Sequence, residues 1–175
     1  PATSPPTSAP GAGLVELGAL AGRLARAAGE LALAEAAAIR GGGGDGSRGH
    51  ADTKSSPTDM VTAADRAAES LIIEGILAAR PGDGIAGEEG GSRPGTSGVV
   101  WHIDPIDGTT NYVYGIPAFA VSIGVETEGE LVAGAVFHPS RGCLYHAVRG
   151  GGAWRDAERI VRTDDAGQIR DGPLA

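Results

Sequence analysis

Cysteine is nearly absent from this chain: Cys143 is the only one. No internal disulfide can form, so nothing implies an oxidising compartment. In the run Gly142-Cys143-Leu144-Tyr145-His146 the thiol reads as a strand residue, because no nucleophile motif surrounds it. Positive charge is scarce too. Fourteen Lys and Arg stand against 22 Asp and Glu, a net charge of −8. Nucleic acid or a membrane surface wants a basic face, and this balance argues against both as partners. It does not argue against an anionic small molecule if a cation sits between. No apolar run reaches transmembrane length. The first thirteen residues are rich in Pro, Ala, Ser and Thr and carry neither a basic n-region nor an apolar h-region. Residues 1–13 read as a disordered tail, and a cytoplasmic protein is the default expectation. With 175 residues the chain is long enough for one domain with a real core.

The helical signals come first. From Leu14 to Ile39 the chain is alanine-rich, and Leu14, Leu17, Leu20, Leu24, Leu31 and Ile39 fit one helical face. Four glycines, 41–44, end that helix. A polar loop with His50, Asp52 and Lys54 runs to about Ser56. Thr62, with Asp65 three positions on, predicts an N-cap and an acidic first turn. Ala68, Leu71, Ile72, Gly75, Ile76 and Ala79 continue this second helix until Pro81-Gly82 stops it. Residues 84–87 predict a short strand, closed by Glu88-Glu89 between glycines.

After Gly115-Ile116-Pro117 the period changes to two. Residues 118–126, 131–138 and 143–149 predict three strands, with tight turns between them. Residues 153–155 and 159–161 suggest one more small hairpin. Short successive connections make an antiparallel meander rather than a parallel doubly wound sheet. Residues 162–175 form a polar tail with no core pattern. His102, His138 and His146 lack metal-ligand spacing and read as structural or exposed.

The chemistry gathers in Trp101-His102-Ile103-Asp104-Pro105-Ile106-Asp107-Gly108-Thr109-Thr110-Asn111-Tyr112. A run of strand formers ends in one carboxylate, and a second follows three residues later. Pro105 removes a backbone donor and is expected to stop a regular strand there. Two carboxylates converging on one point repel, and one would take up a proton. A hard dication removes the conflict, since Mg²⁺ favours oxygen ligands and needs few from the protein. The Gly-Thr-Thr segment offers free backbone N–H groups, an anion site if it opens a helix. A metal-binding bend beside an anion-binding bend is the layout for hydrolysing a phosphate ester. Each piece has a plainer alternative. Asp-Gly after a strand is an ordinary turn, Asp65 suits a helix start, and paired glutamates suit a solvated turn.

Three separated segments together resemble the inositol monophosphatase family, within the lithium-sensitive, Mg²⁺-dependent phosphatases. They are Lys54 to Asp65 (Lys-Ser-Ser-Pro-Thr-Asp-Met-Val-Thr-Ala-Ala-Asp), Gly87-Glu88-Glu89-Gly90, and Trp101 to Tyr112 with its Asp-Pro-Ile-Asp-Gly-Thr-Thr core. The likeness spans residues 14–161. It implies an α/β fold of the fructose-1,6-bisphosphatase and inositol-monophosphatase kind: an α+β layered sandwich with a helix pair on a largely antiparallel sheet. It implies that Glu88, Asp104, Asp107 and the Ile106 carbonyl bind Mg²⁺, with Asp104 bridging two ions. Thr109, oriented by Asp65, would position a metal-activated water, and Gly108 and Thr109 N–H groups would hold the phosphate. Asp107 would also lie against the substrate. Glu88 would act in catalysis through its metal, with Glu89 and Lys54 in support. The implied function is hydrolysis of inositol-1-phosphate or a similar sugar phosphate, with no dedicated protein nucleophile. A homodimer and inhibition by Li⁺ are implied as well.

The sequence departs from that family in length. Members continue for roughly a hundred residues more, into a second layer with a Trp-Asp-x-Ala motif, whose aspartate completes the metal site. Nothing after residue 161 matches that motif, as expected of an N-terminal portion, a fragment or a truncated product. Two alternatives follow. One is a related phosphatase acting on histidinol phosphate, fructose-1,6-bisphosphate or a 3′-phosphoadenosine nucleotide, because the motif serves the phosphate and not the leaving group. The other is a catalytically inactive remnant that binds metal or dimerises.

Overall fold

A computed structural model describes residues 11–41, 57–88, 92–163 and 169–170, with side chains for 11–38, 63–88 and 92–161. Two long helices, α1 (Ala12–Gly41) and α2 (Pro57–Ala79), pack together and cover one face of a seven-stranded sheet. The strands are β1 (Gly84–Gly87), β2 (Val99–Asp107), β3 (Ala120–Thr127), β4 (Glu130–His138), β5 (Cys143–Val148), β6 (Gly152–Arg155) and β7 (Glu158–Ile160), in that spatial order. From β2 onward every pairing is antiparallel, and β1 alone joins parallel, against β2. The expected helix pair on a largely antiparallel sheet is what forms. A five-residue helix, α3 (Thr109–Val113), sits between β2 and β3.

The core lies between helices and sheet. Trp101, Ile103, Val121, Ile123, Val125, Ala135 and Phe137 point inward from β2, β3 and β4 and are buried. They meet α1 mainly through small residues. Ala21, Ala25, Ala28 and Ala32 are fully buried, whereas Leu14 and Leu24 are only partly covered. Of the leucine stripe expected on α1, Leu17 and Leu20 are buried in this core and Leu14 and Leu24 flank it, while an alanine and glycine line runs alongside them. Small residues let a helix axis come close to a sheet. At Gly29 an added Cβ would lie 2.5 Å from the Phe137 ring.

Four expectations are corrected. Helix α2 starts at Pro57, so Thr62 lies in its second turn and is not the N-cap. Proline at the first helical position suits a helix start, because its missing N–H has no partner there anyway. Strand β2 does not stop at Pro105 but runs on to Asp107 through a break in register. Helix α1 includes Ala12 and Gly13, two residues earlier than expected. Within the supposed polar tail, β8 (Arg162–Thr163) pairs antiparallel with β9 (Ile169–Arg170). The loop holding His50, Asp52 and Lys54, together with Glu89, lies outside the described residues.

Candidate active site

The site is built on the irregular end of β2. Along a regular strand, residues three apart point to opposite faces. Here Asp104 pairs with Ser122, and Asp107 with Ala120. Three steps on β2 thus match two on β3, which is a bulge of one residue. The extra residue restores parity and puts Asp104 and Asp107 on the same face, the one away from the helices. Pro105 and Ile106 are both buried at the bulge, where a regular strand would bury only one. Pro105 is tolerated because the ladder is already broken there.

Glu88 arrives from the neighbouring strand. Residues Gly84 to Gly87 pair with Val100 to Ile103, and the Glu88 amide then donates to the Ile103 carbonyl at 3.2 Å. That register sets Glu88 beside Asp104, close enough for the two carboxyl groups to interact. Burial pushes the Asp104 carboxyl up to about 7, and the charges of Glu88, Asp107 and Asp65 push in the same direction. Asp65 comes from α2, where it is buried in the stripe formed by Ala64, Ala68, Glu69 and Ile72. One helix and two strands thus deliver three acidic side chains whose charges are felt at Asp104.

Beyond Asp107 the chain turns sharply. Gly108 adopts φ +90°, ψ 39°, a left-handed conformation suited to glycine, and serves as the N-cap of α3. The Thr109 hydroxyl donates to the Ile106 carbonyl at 3.0 Å. Tyr112 is buried edge-on to Phe119 and donates its hydroxyl hydrogen to the Ala32 carbonyl of α1 at 2.8 Å. These contacts anchor α3 to the scaffold. On the open face of the sheet, a hollow of about 500 Å³ is lined by Glu88, His102, Asp104, Ser122, Glu126 and Leu131, among others.

Sequence reasoning named Asp65, Glu88, Asp104, Ile106, Asp107, Gly108 and Thr109; the last five run along the β2–α3 junction, Glu88 lies beside Asp104, and the charge of Asp65 on α2 reaches Asp104. It read His102 as structural or exposed; the ring is exposed and pairs with Glu126 at 2.9 Å beside the same hollow. It did not single out Ser122, whose place opposite Asp104 depends on the β2–β3 register. As a test of fit, the donors are all oxygen, and burial and the neighbouring carboxylates push the Asp104 carboxyl up to about 7, a repulsion that a cation would relieve. That suits a hard divalent ion. Among the described residues no three His, Cys, Asp or Glu side chains are grouped so as to hold a metal as they stand. The match is one of charge and donor type.

Comparison with known proteins gives the family and the fold. The family described as "Inositol monophosphatase family" matches residues 15–174. The chain belongs to the inositol monophosphatase family. It is 49% identical over 105 residues to an inositol-1-monophosphatase of Rhizobium meliloti (strain 1021), covering 59% of this chain and 40% of that protein. It is 45% identical over 100 residues to a histidinol-phosphatase of Chlorobaculum parvum, covering 57% and 39%. Among solved structures, inositol monophosphatase II of Staphylococcus aureus MSSA476 superimposes with a TM-score of 0.70 at 34% identity, covering 86% and 52%. The chain therefore spans about half the length, or less, of these relatives.

Proposed function

We propose that this chain carries the metal- and phosphate-handling part of a Mg²⁺-dependent phosphomonoesterase for inositol-1-phosphate or a similar sugar phosphate. The observation that carries the reading is the bulge that puts Asp104 and Asp107 on one face, with Glu88 beside Asp104 and a left-handed Gly108 bend next to them. In this reading Glu88, Asp104, Asp107 and the Ile106 carbonyl hold Mg²⁺. When bound, Mg²⁺ neutralises the phosphate and makes a water a better nucleophile. The Gly108 and Thr109 amides donate to phosphate oxygens. The Thr109 hydroxyl hydrogen is committed to the Ile106 carbonyl, so its oxygen is left to accept a hydrogen bond from the attacking water. Asp65, buried nearby on α2, takes part in positioning that water. Asp107 also lies against the substrate.

The relatives' names include an inositol-1-monophosphatase and a histidinol-phosphatase, so histidinol phosphate is the competing substrate. A homodimer, a cytoplasmic location and Li⁺ inhibition belong to the same proposal. Among the described residues no helix is long and apolar enough to cross a membrane.

The test is phosphate release from inositol-1-phosphate and histidinol phosphate across a Mg²⁺ titration, with Asp107→Asn alongside. Mg²⁺-dependent release that drops at least a hundredfold in the variant is the expected outcome. Failure of Mg²⁺ to change either turnover or melting temperature sinks the site assignment. A rise in melting temperature without turnover favours the inactive-remnant alternative.

A further inference from the structure

Asn111 is the residue on the β2–α3 junction for which the reaction above has no use. Its side chain is half-buried, and its amide nitrogen donates to the Ala118 carbonyl at 2.7 Å. Its own carbonyl accepts from the Ile116 amide at 2.8 Å, and the Ala118 amide donates to the Ile116 carbonyl at 2.8 Å. One residue therefore grips both the middle and the far end of the 111–118 loop. The Ala118 carbonyl has a second neighbour. A Cβ added to Gly108 would lie 3.1 Å from that same oxygen. The side of Gly108 that has no side chain is filled by a backbone carbonyl, and Asn111 holds that carbonyl in place.

We propose that Asn111 is a positioning residue: by latching Ala118 against Gly108 it fixes the peptide groups of Gly108 and Thr109 on which a phosphate ester sits. The proposal rests on the phosphate reading given above. The physical argument concerns freedom. Glycine at φ +90° has wide conformational space, and only its packing selects one state. Donors aimed at an anion are effective when their orientation is fixed beforehand. Tyr114, Gly115, Ile116 and Pro117 are all exposed, so the loop contributes little burial to stability. Loss of the latch should therefore loosen the bend without unfolding the domain.

The test uses the whole 175-residue chain, with Asn111→Ala and the similarly sized, donor-free Asn111→Leu. Melting temperature is followed with Mg²⁺ alone and then with added inorganic phosphate. Amide hydrogen exchange at residues 108–110 is measured on the same samples. Both variants are expected to fold, keep the Mg²⁺ shift, bind phosphate at least tenfold more weakly, and exchange at least tenfold faster at 108–110. Phosphate affinity and exchange both within twofold of wild type would overturn the proposal. So would loss of the Mg²⁺ shift together with a large fall in melting temperature, which marks a general folding role. If wild type itself shows a Mg²⁺ shift but no phosphate response, the phosphate reading fails. Exchange at 108–110 then still decides whether Asn111 holds the bend.

Discussion

The indole N–H of Trp101 donates to the carboxylate of Asp83 across 2.9 Å, with both side chains buried. Asp83 also accepts from Ser97 at 2.6 Å and from the guanidinium of Arg80. It stands immediately before β1, and Trp101 lies on β2, so the contact ties together the strands that carry Glu88 and Asp104. Asp83→Ala should cost about 3 kcal/mol, because it strands a buried indole donor and an arginine. Chemical denaturation of wild type and variant measures the difference. A loss below about 1 kcal/mol would mean the node is dispensable.

The same carboxylate has a pH signature. Burial alone would raise its pKa, but the hydrogen bonds from Arg80, Ser97 and Trp101 and the Arg80 charge outweigh it and hold it below the ordinary aspartate value. A depressed acid stabilises the fold above its unfolded pKa, near 4, and that contribution is lost as pH falls through the folded value. Acid unfolding of Asp83→Asn should accordingly be less steep below pH 4 than that of wild type.

Asp104 carries the opposite sign. Its carboxyl is raised to about 7, so the folded chain binds this proton more tightly than the unfolded chain does. The metal-free fold should gain stability from this group at low pH and lose it progressively as pH rises towards 7 and above. Asp104→Asn should flatten that dependence and melt higher than wild type at pH 8 without metal. With Mg²⁺ the order should reverse, because only wild type gains a ligand. Melting curves at pH 5 and pH 8, with chelator or with Mg²⁺, separate the four conditions, and an unchanged order with Mg²⁺ would remove Asp104 from the ligand set.

Helix α1 offers a test in which two effects oppose. Replacing a helical glycine by alanine gains up to about 1 kcal/mol from propensity. At Gly29 the new methyl would lie 2.5 Å from the Phe137 ring and 2.9 Å from Pro139. Rigid groups at such distances cost about 1–3 kcal/mol in overpacking. Gly29→Ala should therefore destabilise the protein on balance. Equal or greater stability in urea would show that α1 can slide away from β4.

Glu69 is buried on α2 one turn beyond Asp65, and its Oε1 has no hydrogen-bond partner among the described residues. Burying an unsatisfied carboxyl oxygen costs about 1–3 kcal/mol. Glu69→Met, which keeps the shape, should raise stability by about that amount. Destabilisation in equilibrium unfolding would mean instead that Glu69 satisfies a group elsewhere in the chain.

Much of the site was legible because its residues are local in sequence. Asp104, Ile106, Asp107, Gly108 and Thr109 fall within six positions, and their types alone suggest carboxylates beside a bend. Asp65 and Glu88 came from the resemblance and not from spacing, since a helix start and a solvated turn explain each equally well. The meander was legible from period-two alternation and short turns. The α1 contact was legible only in part: Leu17 and Leu20 are buried as the stripe predicts, but the small residues beside them gave no signal. Large leucines dominate a hydrophobicity pattern, whereas Ala21, Ala25, Ala28 and Gly29 matter through the space they leave. The bulge was also hidden, because Pro105 signals an interruption without saying whether the strand ends or slips.

Composition and motif by themselves determined the absence of an internal disulfide, the acidic character, the helix pair, the antiparallel meander and the two carboxylates beside the Gly108 bend. Those properties depend on residue type and on neighbours within a few positions. Tertiary structure alone decided that Asp104 and Asp107 share a face, that Glu88 lies beside Asp104, and that Asn111 bonds the Ala118 carbonyl next to Gly108. The physical reason is register. The face a strand residue occupies depends on the partner it pairs with, and a slip of one residue at Pro105 turns two diverging carboxylates into neighbours.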